Sequence, residues 1–329
     1  MNLSAIDSSR GCDWLADWFE LKALAEGAVS FMDHIDALVD RDVAEEDIDA
    51  DEVALEQARD RISDEIGRRI AWLGDAYPFS LEDYGYTLKL REELFPGHQS
   101  YILCLWLTAI ITDMLRGETI RATRSEQNLF QFCSTVASAS FLEGYAFSFG
   151  FPRPEGGGIL TGLSHLHAFG FPEGQPQAEI LPWMNGSAKD DEVDVIAWRT
   201  VNDSLPGVVC LYGQVASGGN WEKKSLTSDK IKAFQDAWYA IRPASRPCLA
   251  IFVPVCPWAQ VLDSHGIPDY KRKLYNKTLE FGIIFSRYRI PHYVDKYFSE
   301  ELGQANIDNT SLINTLESWS RDLLGRLRA

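Results

Sequence analysis

Asp194 stands at the head of an apolar run, Val193 and then Val195, Ile196, Ala197 and Trp198, and Gln214 closes a second run, VVCLYGQV. Two neighbouring strands would set this carboxylate and this amide oxygen side by side at one sheet edge, with Lys223 and Lys224 just beyond. Oxygen donors of this kind suit a hydrated Mg²⁺ or Mn²⁺. Such an ion, with a positioned water and a nearby ammonium, hydrolyses phosphodiesters. The backbone carbonyl of Val215 is a further donor. Residues two apart on a strand share a face, so Ala216 points where Gln214 points. A lysine at 216 would be the natural water-activating group. Its place falls to Lys224, with Lys223 the second choice, across the SGGN turn and with Trp221 set to pin the segment. The plainer reading, a turn aspartate and a glutamine that ends a strand, stands beside the metal reading.

The elements that must position these residues follow from periodicity. Apolar spacing predicts helices over 14–39, 53–73, 101–115 and 125–147, with DAYPFSLEDYGYTLKL as a loop. After Gly150 the texture changes. Residues 152–176 are rich in Gly and Pro and mark a boundary or a long active-site loop. Strands are expected over 193–199, 208–216, 248–255 and 282–288, with a helix over 228–241 capped by Ser228 or Thr227. The chain ends in an amphipathic helix over 310–327. Strand, turn, strand, helix, strand is an α/β layout with a mixed sheet. The division read from this is a helical docking or sensing region (1–135), an α/β core (136–300) and a C-terminal helix (301–329).

Composition bounds the rest. With 329 residues, 46% of them hydrophobic, the chain builds its core unaided. The longest apolar stretch, YILCLWLTAII, is too short for a bilayer. The first 30 residues show no signal peptide, so the expected compartment is the cytoplasm, with no membrane partner. Six cysteines without a CxxC pair read as buried free thiols. A net charge of −17 argues against a generally basic protein that coats DNA. Much of that charge lies in 33–65, where fourteen acids face three arginines, either a solvated helix face or a partner-docking surface. The most basic stretch holds Lys271, Arg272 and Lys273, followed by Arg287 and Arg289. It is either a phosphate-backbone contact or a solvated helix followed by an ordinary strand. His165 and His167 have no third zinc ligand at a recognisable spacing. GxSxG, GxGxxG and phosphate-loop motifs are absent.

The order G-x3-D-x3-D-V-I-A, then a strand ending in Q-x-A-x-G-x-N-W-x-x-K, resembles the PD-(D/E)xK nuclease superfamily. It is most similar to restriction-type and antiviral-defence endonucleases with Gln in place of the second acid. The resemblance spans about residues 140–290. It implies a restriction-endonuclease-like mixed β-sheet flanked by helices, with Mg²⁺ (or Mn²⁺) on Asp194 and Gln214. The family's lysine normally follows two residues on, and in some branches it has migrated; this chain departs from the pattern at Ala216. The family often adds a Glu from the preceding helix, for which Glu143 is the match. By resemblance the chain is a metal-dependent endonuclease acting on DNA, the effector of a bacterial antiviral-defence or restriction system that includes a partner protein. The alternative is a nuclease-fold scaffold or regulatory subunit that has lost its chemistry.

Overall fold

The computed structural model describes residues 2–6, 10–35, 48–116, 120–150, 153, 156–182, 189–201, 203, 205–224, 226–256, 267–300, 302 and 305–328. The N-terminal part holds helices α1 (Cys12–Glu26), α2 (Ile48–Leu73) and α3 (Pro96–Ile111). It also holds a three-stranded antiparallel sheet of β1 (Ala28–Ser30), β2 (Phe79–Glu82) and β3 (Thr87–Leu90), with β3 in the middle. This sheet corrects the all-helical reading and the expected loop. Phe79, Leu88 and Leu90 are buried strand residues, and the chain turns between β2 and β3 through Tyr84 and Gly85 with positive φ. The acidic segment 33–65 lies partly outside the described residues.

Helix α4 (Arg124–Leu142) opens on a capping box, in which Thr123 Oγ1 accepts the Glu126 N–H and Glu126 Oε2 accepts the Thr123 N–H. A six-stranded mixed sheet follows. In chain order its strands are β4 (Tyr145–Ser148), β5 (Val195–Arg199), β6 (Val209–Val215), β7 (Cys248–Phe252), β8 (Ile283–Phe285) and β9 (Asn306–Ile307). In space they run β8-β7-β6-β5-β4-β9. β5 is antiparallel to β4 and β6, while β7 runs parallel to β6 and β8. Both faces are covered, which is why VIAW and VVCLY are near-continuous apolar runs. Val195, Ala197 and Leu211 pack in one core with α4 residues Leu129, Phe130 and Val136. Ile196, Trp198 and Tyr212 pack in the opposite core with α5 (Ile159–Ala168) and α6 (Ser228–Trp238). The cap of α6 is Thr227, whose Oγ1 accepts the Lys230 N–H at 3.2 Å.

Three more helices follow: α7 (Ile267–Phe281), α8 (Arg289–Ser299) and α9 (Leu312–Arg328). Helix α3 is apolar all round and contributes to two cores. Tyr101, Ile102 and Leu105 join the N-terminal core, and Leu103, Cys104 and Leu107 join the core under the sheet. Leu323 and Leu327 of α9 also enter the N-terminal core. The expected strand over 282–288 stops at Phe285, because the Ser286 carbonyl accepts the Arg289 and Ile290 N–H groups and starts α8. His165 and His167 lie on helix α5 rather than in a loop. Four of the six free cysteines are buried. Among the described residues no helix is long and apolar enough to cross a membrane.

Candidate active site

Val195 lies opposite Gly213 in the β5–β6 pair, so Asp194 and Gln214 extend neighbouring strands at one sheet edge. The turn before β5 delivers the carboxylate. Asp191 and Glu192 both take left-handed backbone, φ 47° and 69°, a conformation that costs a non-glycine residue ~1–3 kcal/mol. Side chains from α6 hold the turn: Trp238 Nε1 donates to Asp191 Oδ2 at 2.6 Å, and Lys230 pairs with Glu192. The Asp194 N–H donates to the Gly213 carbonyl at 2.9 Å, and the Asp194 carbonyl accepts the N–H groups of Phe149 and Gly150 at 2.8 and 2.9 Å.

Asp194 Oδ2 accepts the Val215 N–H at 2.7 Å. Its Oδ1 abuts Gly150, where an added methyl would lie 2.6 Å from that oxygen. The same methyl would lie 2.8 Å from both amide atoms of Gln131. Gln131 comes from α4, and its Nε2 donates to Ser148 Oγ at 2.7 Å. Asp194 is half-buried, and removal from water pushes its carboxyl up to about 7. The Val215 N–H and the Lys224 charge oppose the rise, and Asp190 and Glu192 add to it.

Gln214 is buried, and its Oε1 has no hydrogen-bond partner. A buried acceptor left unpaired costs ~1–3 kcal/mol, a penalty that a bound cation would remove. Lys224 Nζ donates to the Val215 carbonyl at 3.5 Å, the residue whose N–H holds Asp194. The segment that carries it is a single 3₁₀ turn, Trp221–Lys223. Trp221 pins it: the ring is buried, packs on Phe281 at 5.4 Å, and lies 5.0 Å from Lys277 Nζ. Lys223 in that turn is exposed. Ala216 is fully buried in an apolar cluster with Trp221, Ile251 and Phe281, where a lysine would meet no water.

The site therefore offers one carboxylate, the Gln214 oxygen, the Val215 carbonyl and the Gln131 amide. Gln214 stands opposite Asp194 by strand register, and oxygen donors of these types suit a hard divalent cation. Asp194 is the one carboxylate in this set, with Asp190 and Glu192 near enough to act on it by charge; among the described residues no three His, Cys, Asp or Glu side chains come together to hold a metal. Gln131 is the residue that sequence reasoning missed. It sits mid-helix among Leu129, Phe130 and Phe132, and only the fold brings it to Asp194. Gly150→Ala is expected to reduce any metal-dependent turnover by ~10²-fold, because the methyl displaces the carboxylate; single-turnover kinetics would measure it.

Other expected residues lie elsewhere. Glu143 caps the far end of α4, beside the end of β5 that carries Arg199, and pairs with Arg199 and Lys296 at 3.4 Å each. It is a helix-end ion pair, not a member of the Asp194 cluster, because β4 and β5 run antiparallel and put Glu143 and Asp194 at opposite ends. Arg287 is buried, and its Nη2 lies 2.7 Å from Asp17 Oδ1. It is a core ion pair and is not available to nucleic acid. Arg289 is exposed and donates to the Ile284 carbonyl at 3.0 Å. Arg272 is exposed on α7, while the side chains of Lys271 and Lys273 lie outside the described residues. Compared with protein-family models, curated proteins and solved structures, the chain finds no match.

Proposed function

We propose that this chain is a metal-dependent endonuclease that hydrolyses phosphodiester bonds of nucleic acid, with DNA as the substrate. The observation that carries the reading is one sheet edge. It joins a half-buried carboxylate, a buried amide oxygen without a partner, and a lysine folded back onto the Val215 carbonyl beside them. Mg²⁺ bound there would act as a Lewis acid and make its water more acidic. Asp194 and Gln214, with the Val215 carbonyl and Gln131, would hold the ion. Lys224 orients the attacking water and offsets charge on the phosphate as it develops. The Val215 N–H fixes the Asp194 carboxylate, so its second oxygen is the one presented beside Gly150.

The mixed sheet with flanking helices supports the same reading, since that is the layout the PD-(D/E)xK resemblance implies. On this reading the chain serves a bacterial antiviral-defence or restriction system and docks a partner protein through its N-terminal part. A second reading, a nuclease-fold scaffold without activity, draws support from the single carboxylate at the edge and from Ala216. Cleavage of plasmid and of single-stranded DNA with Mg²⁺ or EDTA separates them, with the N-terminal partner supplied in parallel reactions. Lys224→Ala is expected to lower the Mg²⁺-dependent rate by ~10²-fold while substrate binding holds. Wild-type protein that binds DNA, stays folded and never cuts would favour the scaffold.

A further inference from the structure

A cavity lies behind the Asp194 edge, and nothing in the metal reading uses it. It measures about 320 Å³, at the lower end of ligand sites. Arg153, His165 of α5, Phe147 and Ser148 of β4, Phe169, and the Asp308–Asn309 turn line it. Arg153 is the unusual group. It is only 4% exposed, yet among the described residues its guanidinium donates to backbone carbonyls alone: Gly157 at 3.4 Å, Gly158 at 3.2 Å and Lys189 at 2.8 Å. Its Nε has no partner. Among the described residues no carboxylate forms an ion pair with it, and the one carboxylate charge acting on it is that of Asp190, next to the Lys189 carbonyl it holds. Buried charges are ordinarily paired.

The fold makes room for this charge. A methyl on Gly162 of α5 would lie 2.5 Å from Arg153 Nε and 2.7 Å from its Cζ. The guanidinium also lies over the Phe149 ring, 4.5 Å from its centroid. Phe149 donates its N–H to the Asp194 carbonyl, and Ser148, on the cavity wall, accepts from Gln131 beside Asp194. Residues 148–150 thus form the partition between the candidate active site and the cavity. Phe147 and Phe169, with ring centroids 5.9 Å apart, give it aromatic walls. Among the described residues Asp308 is the one carboxylate on the wall. Its oxygens accept the Ser148 N–H at 2.8 Å and Asn309 Nδ2 at 2.6 Å.

We propose that this cavity seats a phosphate of the nucleic-acid strand, held by Arg153, with the neighbouring base or sugar against the aromatic wall. The source of the phosphate rests on the nuclease reading; the anion preference rests on Arg153 itself. The carbonyls of Gly157, Gly158 and Lys189 engage both terminal nitrogens and leave the Nε donor without a partner; a guanidinium with a donor to spare is a phosphate ligand, and aromatic faces accept bases without regard to sequence. The seat orients the strand so that the next phosphodiester reaches Asp194.

The test measures binding of a fluorescent oligothymidylate in EDTA across a salt series, with inorganic phosphate as competitor. Arg153→Gln is expected to weaken binding about tenfold and to flatten the log K against log[salt] slope by ~0.7, the loss of one single-strand phosphate contact. Gly162→Ala, which keeps the charge but displaces it, should weaken binding likewise, and Arg153→Lys should keep the slope. Thermal melts of each variant report folding. Unchanged affinity and slope in folded Arg153→Gln and Gly162→Ala would overturn the site, as would wild-type protein that binds no strand. Inorganic phosphate bound at Arg153 with strand affinity independent of Arg153 would overturn the nucleic-acid source. Arg153-dependent binding without cutting by any metal would keep this site and remove the nuclease reading.

Discussion

Asp194→Asn leaves the metal-free protein folded and more stable at pH 8, by as much as ~4 kcal/mol, while Mg²⁺-dependent cutting falls by ~10³-fold. The two halves of this result share one cause. Burial pushes the Asp194 carboxyl up to about 7 from its ordinary 3.8. A raised carboxyl holds its proton in the folded state after the unfolded chain has released it. Stability therefore falls as pH rises from about 4 to about 7, and the full loss is felt above 7. Asparagine is neutral at every pH and can still accept the Val215 N–H through its oxygen. The stability gain should vanish at pH 4, where the aspartate is protonated in the folded state, and shrink at pH 8 when Mg²⁺ is added to the wild type. Urea unfolding at several pH values, with and without Mg²⁺, measures all of this. A wild type more stable than Asp194→Asn in EDTA at pH 8 would contradict the account.

The second large effect concerns the joint between the N-terminal part and the α/β core. Arg69 of α2 is fully buried and binds three carboxylates: Asp17 at 2.6 Å, Glu20 at 2.9 Å and Glu65 at 3.0 Å. Asp17 also takes Arg287 from the chain after β8. Tyr77 and Tyr101 both donate to Glu20, at 2.6 and 2.9 Å. Arg69→Met leaves these acids facing Arg287 and the half-exposed Arg68, which among the described residues pairs with Glu65. Removing one partner of a buried ion pair costs ~3–5 kcal/mol, so the variant should unfold at much lower denaturant. The uncompensated acids then have raised folded-state pKa values, and the deficit should narrow from pH 8 to pH 5. A deficit below ~1 kcal/mol would show that the network is worth no more than a surface pair.

How far the sequence could be read follows from where its signals are local. The paired strands around Asp194 and Gln214 were legible because their apolar runs are continuous and a single sheet edge ends both. Glu143 misled because position relative to the next strand depends on strand direction, which its neighbours do not encode. Arg287 reads as a surface cation from its basic neighbourhood. Its partner Asp17 is 270 positions away, so no local pattern could reveal the pairing. The β2–β3 hairpin hides among Asp83, Tyr84 and Gly85, where turn chemistry and an expected loop look alike. Helix α5 is masked by the Gly- and Pro-rich segments on either side of it. Gln131 and Arg153 carry no motif at all, and only tertiary structure brings Gln131 to the sheet edge and Arg153 to the cavity behind it.

The central claim is that the edge at Asp194 and Gln214 holds a divalent cation. The most direct test is an anomalous-scattering crystal structure of protein soaked in Mn²⁺ at pH 8. The account predicts a Mn²⁺ peak within bonding distance of Asp194 and the Gln214 oxygen, lost in Asp194→Ala crystals. Saturating Mn²⁺ with no peak there, or one that persists without the Asp194 carboxylate, would contradict it.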